Sequence, residues 1–152
     1  MGRAEDAGGG REPGAGVRRH SLPAAGLADL AAVRAFVAAA CDEVGVGTTV
    51  GEALVLAADE VCSNIVLHGY GPGTPGPITI EVERAADGAR MTIADEGRAF
   101  DPADAPAPDL DAPWEQREAG GLGWYIVRRM VDELRYERRS GVNLVTLVKR
   151  AP

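Results

Sequence analysis

Cysteine is nearly missing from this sequence, with only Cys41 and Cys62 in 152 residues. Both fall in apolar, helix-like stretches, with no CxxC and no disulfide spacing. That excludes a disulfide framework and predicts two buried, reduced thiols. Histidine is equally scarce at two, and a zinc site would need more His or Cys. No apolar run approaches the length that spans a membrane. The opening "MGRAEDAGGGREPGAG" lacks the apolar core of a signal peptide, so the expected location is cytoplasmic. Positive charge is also in deficit. A net charge of −7 argues against general binding to nucleic acid or an anionic membrane. It leaves room for a bound polyanion, because backbone amides and one metal ion hold phosphates without a basic patch.

What is present suits one soluble domain with a real core: 45% of residues are hydrophobic and 26% charged. Residues 1–16 are Gly-rich and charged, and read as a disordered tail. The folded domain is expected over 17–152. "VRRHSL" (17–22) reads as a short first strand, and 27–44 as a helix with Leu30, Val33, Val37 and Cys41 at helical spacing. "GVGTT" breaks that helix and offers Thr48 or Thr49 as the cap of a second, running from about Gly51 to His68. "ITIEVER" and "RMTIAD" alternate as the strands of a hairpin over 78–94. Residues 101–120, rich in Pro, Asp and Ala, lack periodicity. A structureless connection of that length inside a compact domain suggests a functional lid. "GGLGWYIVRRMVDEL" opens a third helix, with Ile126, Val127, Met130 and Val131 on its apolar side. "LRYER" and "VNLVTLVKR" close the chain as a second hairpin. The pattern predicts an α+β two-layer sandwich, helices on one face of a mostly antiparallel mixed sheet.

Three places carry candidate chemistry. In the second helix Leu54, Ala58, Val61, Cys62 and Ile65 share the core stripe, while Asp59 and Ser63 lie opposite. Glu60 and Asn64 belong to neither, projecting side by side one turn apart on the flank. They are either a boundary pair touching water or a carboxylate and an amide oxygen aimed into a cleft, suited to magnesium or to orienting a nucleophile. His68 reads as part of the helix's polar C-terminal edge. In "DEGRAFDP", Asp95 stands where the strand pattern stops, with Gly97 two residues on. That is either a plain turn or an acceptor for an exocyclic amine beside a glycine that admits a flat ring. In "GGLG" (120–123), glycines precede a helix whose N-terminal amides face whatever lies there. That is either a flexible helix start or an anion site. No P-loop or dinucleotide fingerprint is present.

The order of these motifs resembles the Bergerat ATP-binding fold of sensor histidine kinases, type II topoisomerases and mismatch-repair ATPases. "EVCSNIVLHGY", "DEGRAFDP" and "GGLGWYIVRRMVDELRYER" are most similar to the small anti-sigma-factor serine/threonine protein kinases, over roughly 17–150. The resemblance implies ATP and Mg2+, with Glu60 as general base and Asn64 as the magnesium ligand. It implies Asp95 as the reader of adenine, with Gly97 beneath the ring. Gly121, Leu122 and Gly123 become the phosphate-binding glycine box, 101–120 the ATP lid, and Thr146 a member of the water network around adenine. Ala99 replaces a glycine found in the wider pattern, and Arg117 is a loose match to a phosphate-binding arginine. With no phospho-accepting His domain and no transducer domain in view, neither a histidine kinase in cis nor a topoisomerase is expected. The implied activity is phosphorylation of a small anti-sigma-factor antagonist, with a sigma factor as a further partner. Homodimers are common among such proteins. The alternative is a nucleotide-dependent binding switch without catalysis.

Overall fold

The computed structural model of the chain describes residues 16–105, 110–111 and 121–152. The expected tail (but for Gly16), most of the expected lid and Arg117 lie outside the described residues.

Strand β1 (Val17–Ala25) is followed by a single 3-10 turn and helix α1 (Leu30–Val44). The helix stops at Gly45, whose φ of 79° gives the left-handed C-terminal cap that glycine adopts without strain. Helix α2 (Thr48–Asn64) starts one turn earlier than expected. Its N-cap is Gly47 in extended conformation, with no side-chain cap, so neither Thr48 nor Thr49 caps it. Past Asn64 the chain widens into a π-turn over Ile65–Tyr70. Strands β2 (Gly76–Ala85) and β3 (Gly88–Asp95) form the first hairpin. Helix α3 (Gly121–Met130) leads to β4 (Glu133–Arg139) and β5 (Val142–Arg150).

The sheet runs β1-β2-β3-β5-β4, and every pairing is antiparallel rather than mixed. Helices cover one face, with α2 packed between α1 and α3. Strand alternation explains the core. Ile78, Ile80 and Val82 of β2, Ala89, Met91 and Ile93 of β3, and Val145 and Leu147 of β5 point inward and are buried. They meet Val33, Val37, Leu54, Val61 and Val127 from the helices. Trp124, absent from the predicted apolar side of α3, is buried there as well. Cys41 and Cys62 are buried free thiols, pushed up to about 11 and about 12 by desolvation, which makes them poor nucleophiles.

Two polar side chains occupy places in this inward series. Asp95 follows Ile93 on β3, and Asn143 precedes Val145 on β5. They are direct cross-strand partners and both are buried. The end of β3 pairs with the start of β5 and meets the π-turn that follows α2, while the C-terminal end of α2 meets the N-terminal end of α3.

Candidate nucleotide site

Glu60 and Asn64 sit on the last turn and a half of α2, half-buried on the flank that faces α3. The Asn64 amide nitrogen donates 3.0 Å back to the Glu60 carbonyl. That bond orients the amide and leaves Oδ1, a hard acceptor, without a hydrogen-bond donor among the described residues. Burial, with the neighbouring Asp59 charge second, raises the Glu60 carboxyl above its ordinary value. Asp59 itself is paired with Arg34 of α1 at 2.6 Å, on the solvated side.

Gly123, on the first turn of α3, lies directly against this pair. A Cβ there would stand 2.7 Å from Glu60 Oε2 and 3.2 Å from the Asn64 amide nitrogen. Only glycine lets the helix start approach so closely. The structure therefore joins two motifs some sixty residues apart in the chain. Gly121 is the first residue of α3, and Leu122 is half-buried beside it. The exposed His68 lies on the π-turn.

Asp95 is 5% exposed. Its Oδ1 accepts from the Gly97 amide at 2.8 Å and from Asn143 Nδ2 at 3.0 Å, so Oδ2 is the oxygen left for a ligand. Burial raises its carboxyl above the ordinary range, although the Asn143 and Gly97 hydrogen bonds and the Arg138 charge pull the other way. Gly97 has a local reason to be glycine. A Cβ there would meet the Gly69 carbonyl carbon at 2.8 Å and Asp95 Oδ1 at 3.0 Å. The space it leaves is taken by the π-turn, whose Gly69 carbonyl accepts from the Arg98 amide at 3.0 Å. Tyr70 fastens the same corner, donating to the Pro77 carbonyl at 2.5 Å and accepting from the Glu96 amide at 2.7 Å.

Thr146 is placed differently from expectation. It pairs with Thr92 across the strand, and being three residues from Asn143 it projects from the opposite, outer face, away from Asp95. The polar residue that β5 contributes to the Asp95 corner is Asn143. Its signal was present in "VNLVTLVKR", because an alternation placing Val145 and Leu147 inward places Asn143 inward too. The exposed Phe100 stacks on Trp124 at 6.1 Å where the chain leaves toward α3.

A helix acid and amide with a glycine-started helix packed on them, and a buried strand-end aspartate against the π-turn that follows the same helix, are the site's two halves. The family model for the histidine kinase-like ATPase domain matches residues 24–149. The chain belongs to this family. Within it, the chain is 36% identical over 98 residues to the serine/threonine-protein kinase BtrW of Bordetella bronchiseptica, covering 64% of this chain and 69% of that one. It is 34% identical over 99 residues to the serine-protein kinase RsbW of Bacillus subtilis, covering 61% of each. The solved RsbU and RsbW domains of a Mycobacterium tuberculosis protein superpose with a TM-score of 0.61 at 22% identity, over 89% of this chain and 33% of that one. That last likeness concerns the fold alone. A histidine kinase-like ATPase domain implies use of ATP. Among the described residues no helix is long and apolar enough to cross a membrane.

Proposed function

We propose that this chain is an ATP-dependent serine/threonine protein kinase of the anti-sigma type, acting on a small antagonist protein and restraining a sigma factor. The observation that carries the reading is the packing of Gly123 on Glu60 and Asn64, which sets an intact acid beside a helix N-terminus. The names of the Bordetella and Bacillus relatives support it.

Each residue has a role its surroundings suit. Asp95 Oδ2 accepts from the exocyclic amine of adenine. The amides at the start of α3, from Gly121 to Gly123, face phosphate oxygens at the positive end of the helix dipole. Glu60 takes the proton of the attacking Ser or Thr hydroxyl, and its raised pKa makes it a stronger base than an ordinary glutamate. Among the described residues no group of three or more His, Cys, Asp or Glu could hold a metal alone. Asn64 Oδ1 nevertheless fits magnesium, which needs few protein oxygens when phosphates supply others. Magnesium bound there would offset the negative charge of the phosphates.

The test uses labelled ATP and candidate antagonist proteins. Glu60→Gln should lower phosphotransfer by about a hundredfold or more, while ATP affinity stays within about threefold of wild type. Wild-type transfer by the variant would remove Glu60 as the base. Nucleotide-modulated partner binding with no transfer by the wild type would establish the switch instead.

A further inference from the structure

Asn143 is 3% exposed, and its side chain is bonded on every side. Its Oδ1 accepts from the Tyr136 hydroxyl at 2.7 Å and from the Arg138 guanidinium at 2.8 Å. Its Nδ2 donates to Asp95 Oδ1 at 3.0 Å and to the carbonyls of Gly97 and Arg98, both at 3.1 Å. An arginine can only donate, so the atom facing Arg138 must be the amide oxygen. Tyr136 agrees: its hydroxyl accepts from the Phe100 amide at 3.3 Å and spends its proton on Asn143. The donors Tyr136 and Arg138 on one side and the acceptors Asp95, Gly97 and Arg98 on the other therefore fix which way the amide points, with its two N–H groups shared among the three acceptors and turned toward Asp95.

This settles what Asp95 can read. With two N–H donors on Oδ1, the carboxylate is held in one rotation. The oxygen left for a ligand is then an acceptor, matched to an amine and opposed to a carbonyl. We propose that Asn143, oriented by Tyr136 and Arg138, is the positioning residue that makes the site select a 6-amino purine over a 6-oxo purine. The proposal rests on the ATP reading above and adds to it the source of base selectivity. A replacement that offers Asp95 no donor, or an acceptor instead, removes the selectivity. An aspartate at position 143 would face Asp95 acid to acid. One proton would then be retained between them and could be offered to a 6-carbonyl.

The experiment is calorimetric titration of the full chain with ATP and with inosine triphosphate, which has a carbonyl in place of the amine. Wild type should prefer ATP by about a hundredfold or more. Asn143→Asp and Asn143→Leu should weaken ATP by about tenfold or more, leave inosine triphosphate within about threefold, and so collapse the ratio. If neither variant folds, Tyr136→Phe combined with Arg138→Met removes both donors to Oδ1, loosens the hold on the amide and should lower the ratio without touching the buried position. A variant that weakens both nucleotides equally and keeps the wild-type ratio shows Asn143 to be structural only, and overturns the proposal. Absence of ATP binding by the wild type would instead overturn the ATP reading.

Discussion

Asp95 is held at some cost to the fold. It is nearly sealed from solvent, and desolvation outweighs the hydrogen bonds and the Arg138 charge that favour its ionised form. Its folded pKa is therefore above the unfolded one, so the folded state binds the proton more readily. Stability from this group is greatest at acid pH, below the unfolded carboxylate pKa, and falls as pH rises through the folded one. Asp95→Asn keeps an oxygen for the Gly97 and Asn143 donors but carries no charge. It should raise the Tm at pH 7, because the desolvated charge is removed. The gap should close as the buffer approaches pH 4, and ATP affinity should drop by about tenfold or more. A lower Tm than wild type at pH 7 would show that the carboxylate stabilises the corner. At this scale the sequence is informative where spacing is enough. Glu60 and Asn64, four apart on a helical stripe, could only share a flank. Gly97 could be placed beside Asp95, but not its steric reason, because Gly69 reaches it through tertiary packing. Thr146 shows the penalty for neglecting strand parity.

Helix α3 and the π-turn do most to shape the site among the elements. Gly123 is the third residue of α3, and alanine is at least as good a helix former there as glycine. Gly123→Ala should therefore leave unfolding free energy unchanged or slightly raised in urea, since the atom in its way, Glu60 Oε2 at 2.7 Å, ends a flexible side chain. Displacing that carboxylate should cost about tenfold or more in phosphotransfer. Unchanged transfer would mean that close packing of α3 on α2 is not what positions Glu60. The three helices and both hairpins are legible from periodicity. The π-turn is not, because Ile65–Tyr70 continues the apolar pattern of α2 and differs from it only in hydrogen bonding. Such local widening is frequent at functional sites. Here it delivers Gly69 and Tyr70 to the end of β3 and so shapes the Asp95 corner.

The whole molecule brings element ends together in pairs. Antiparallel order puts the end of β3 beside the start of β5, and packing of α2 between its neighbours brings Asn64 to the N-terminus of α3. On the proposed reading, an acidic chain of net charge −7 binds a polyanion through oriented amides, one amide oxygen and a buried reader of the base. The central claim is that Glu60/Asn64, Asp95 and Gly121–Gly123 form a single adenine-nucleotide site. Calorimetric titration with Mg-ATP tests it most directly. Saturable one-to-one binding at micromolar affinity, on the order of −8 kcal/mol, should be seen for wild type and weakened by about tenfold or more in Asp95→Asn. No binding by wild type, or undiminished binding by that variant, would contradict the account.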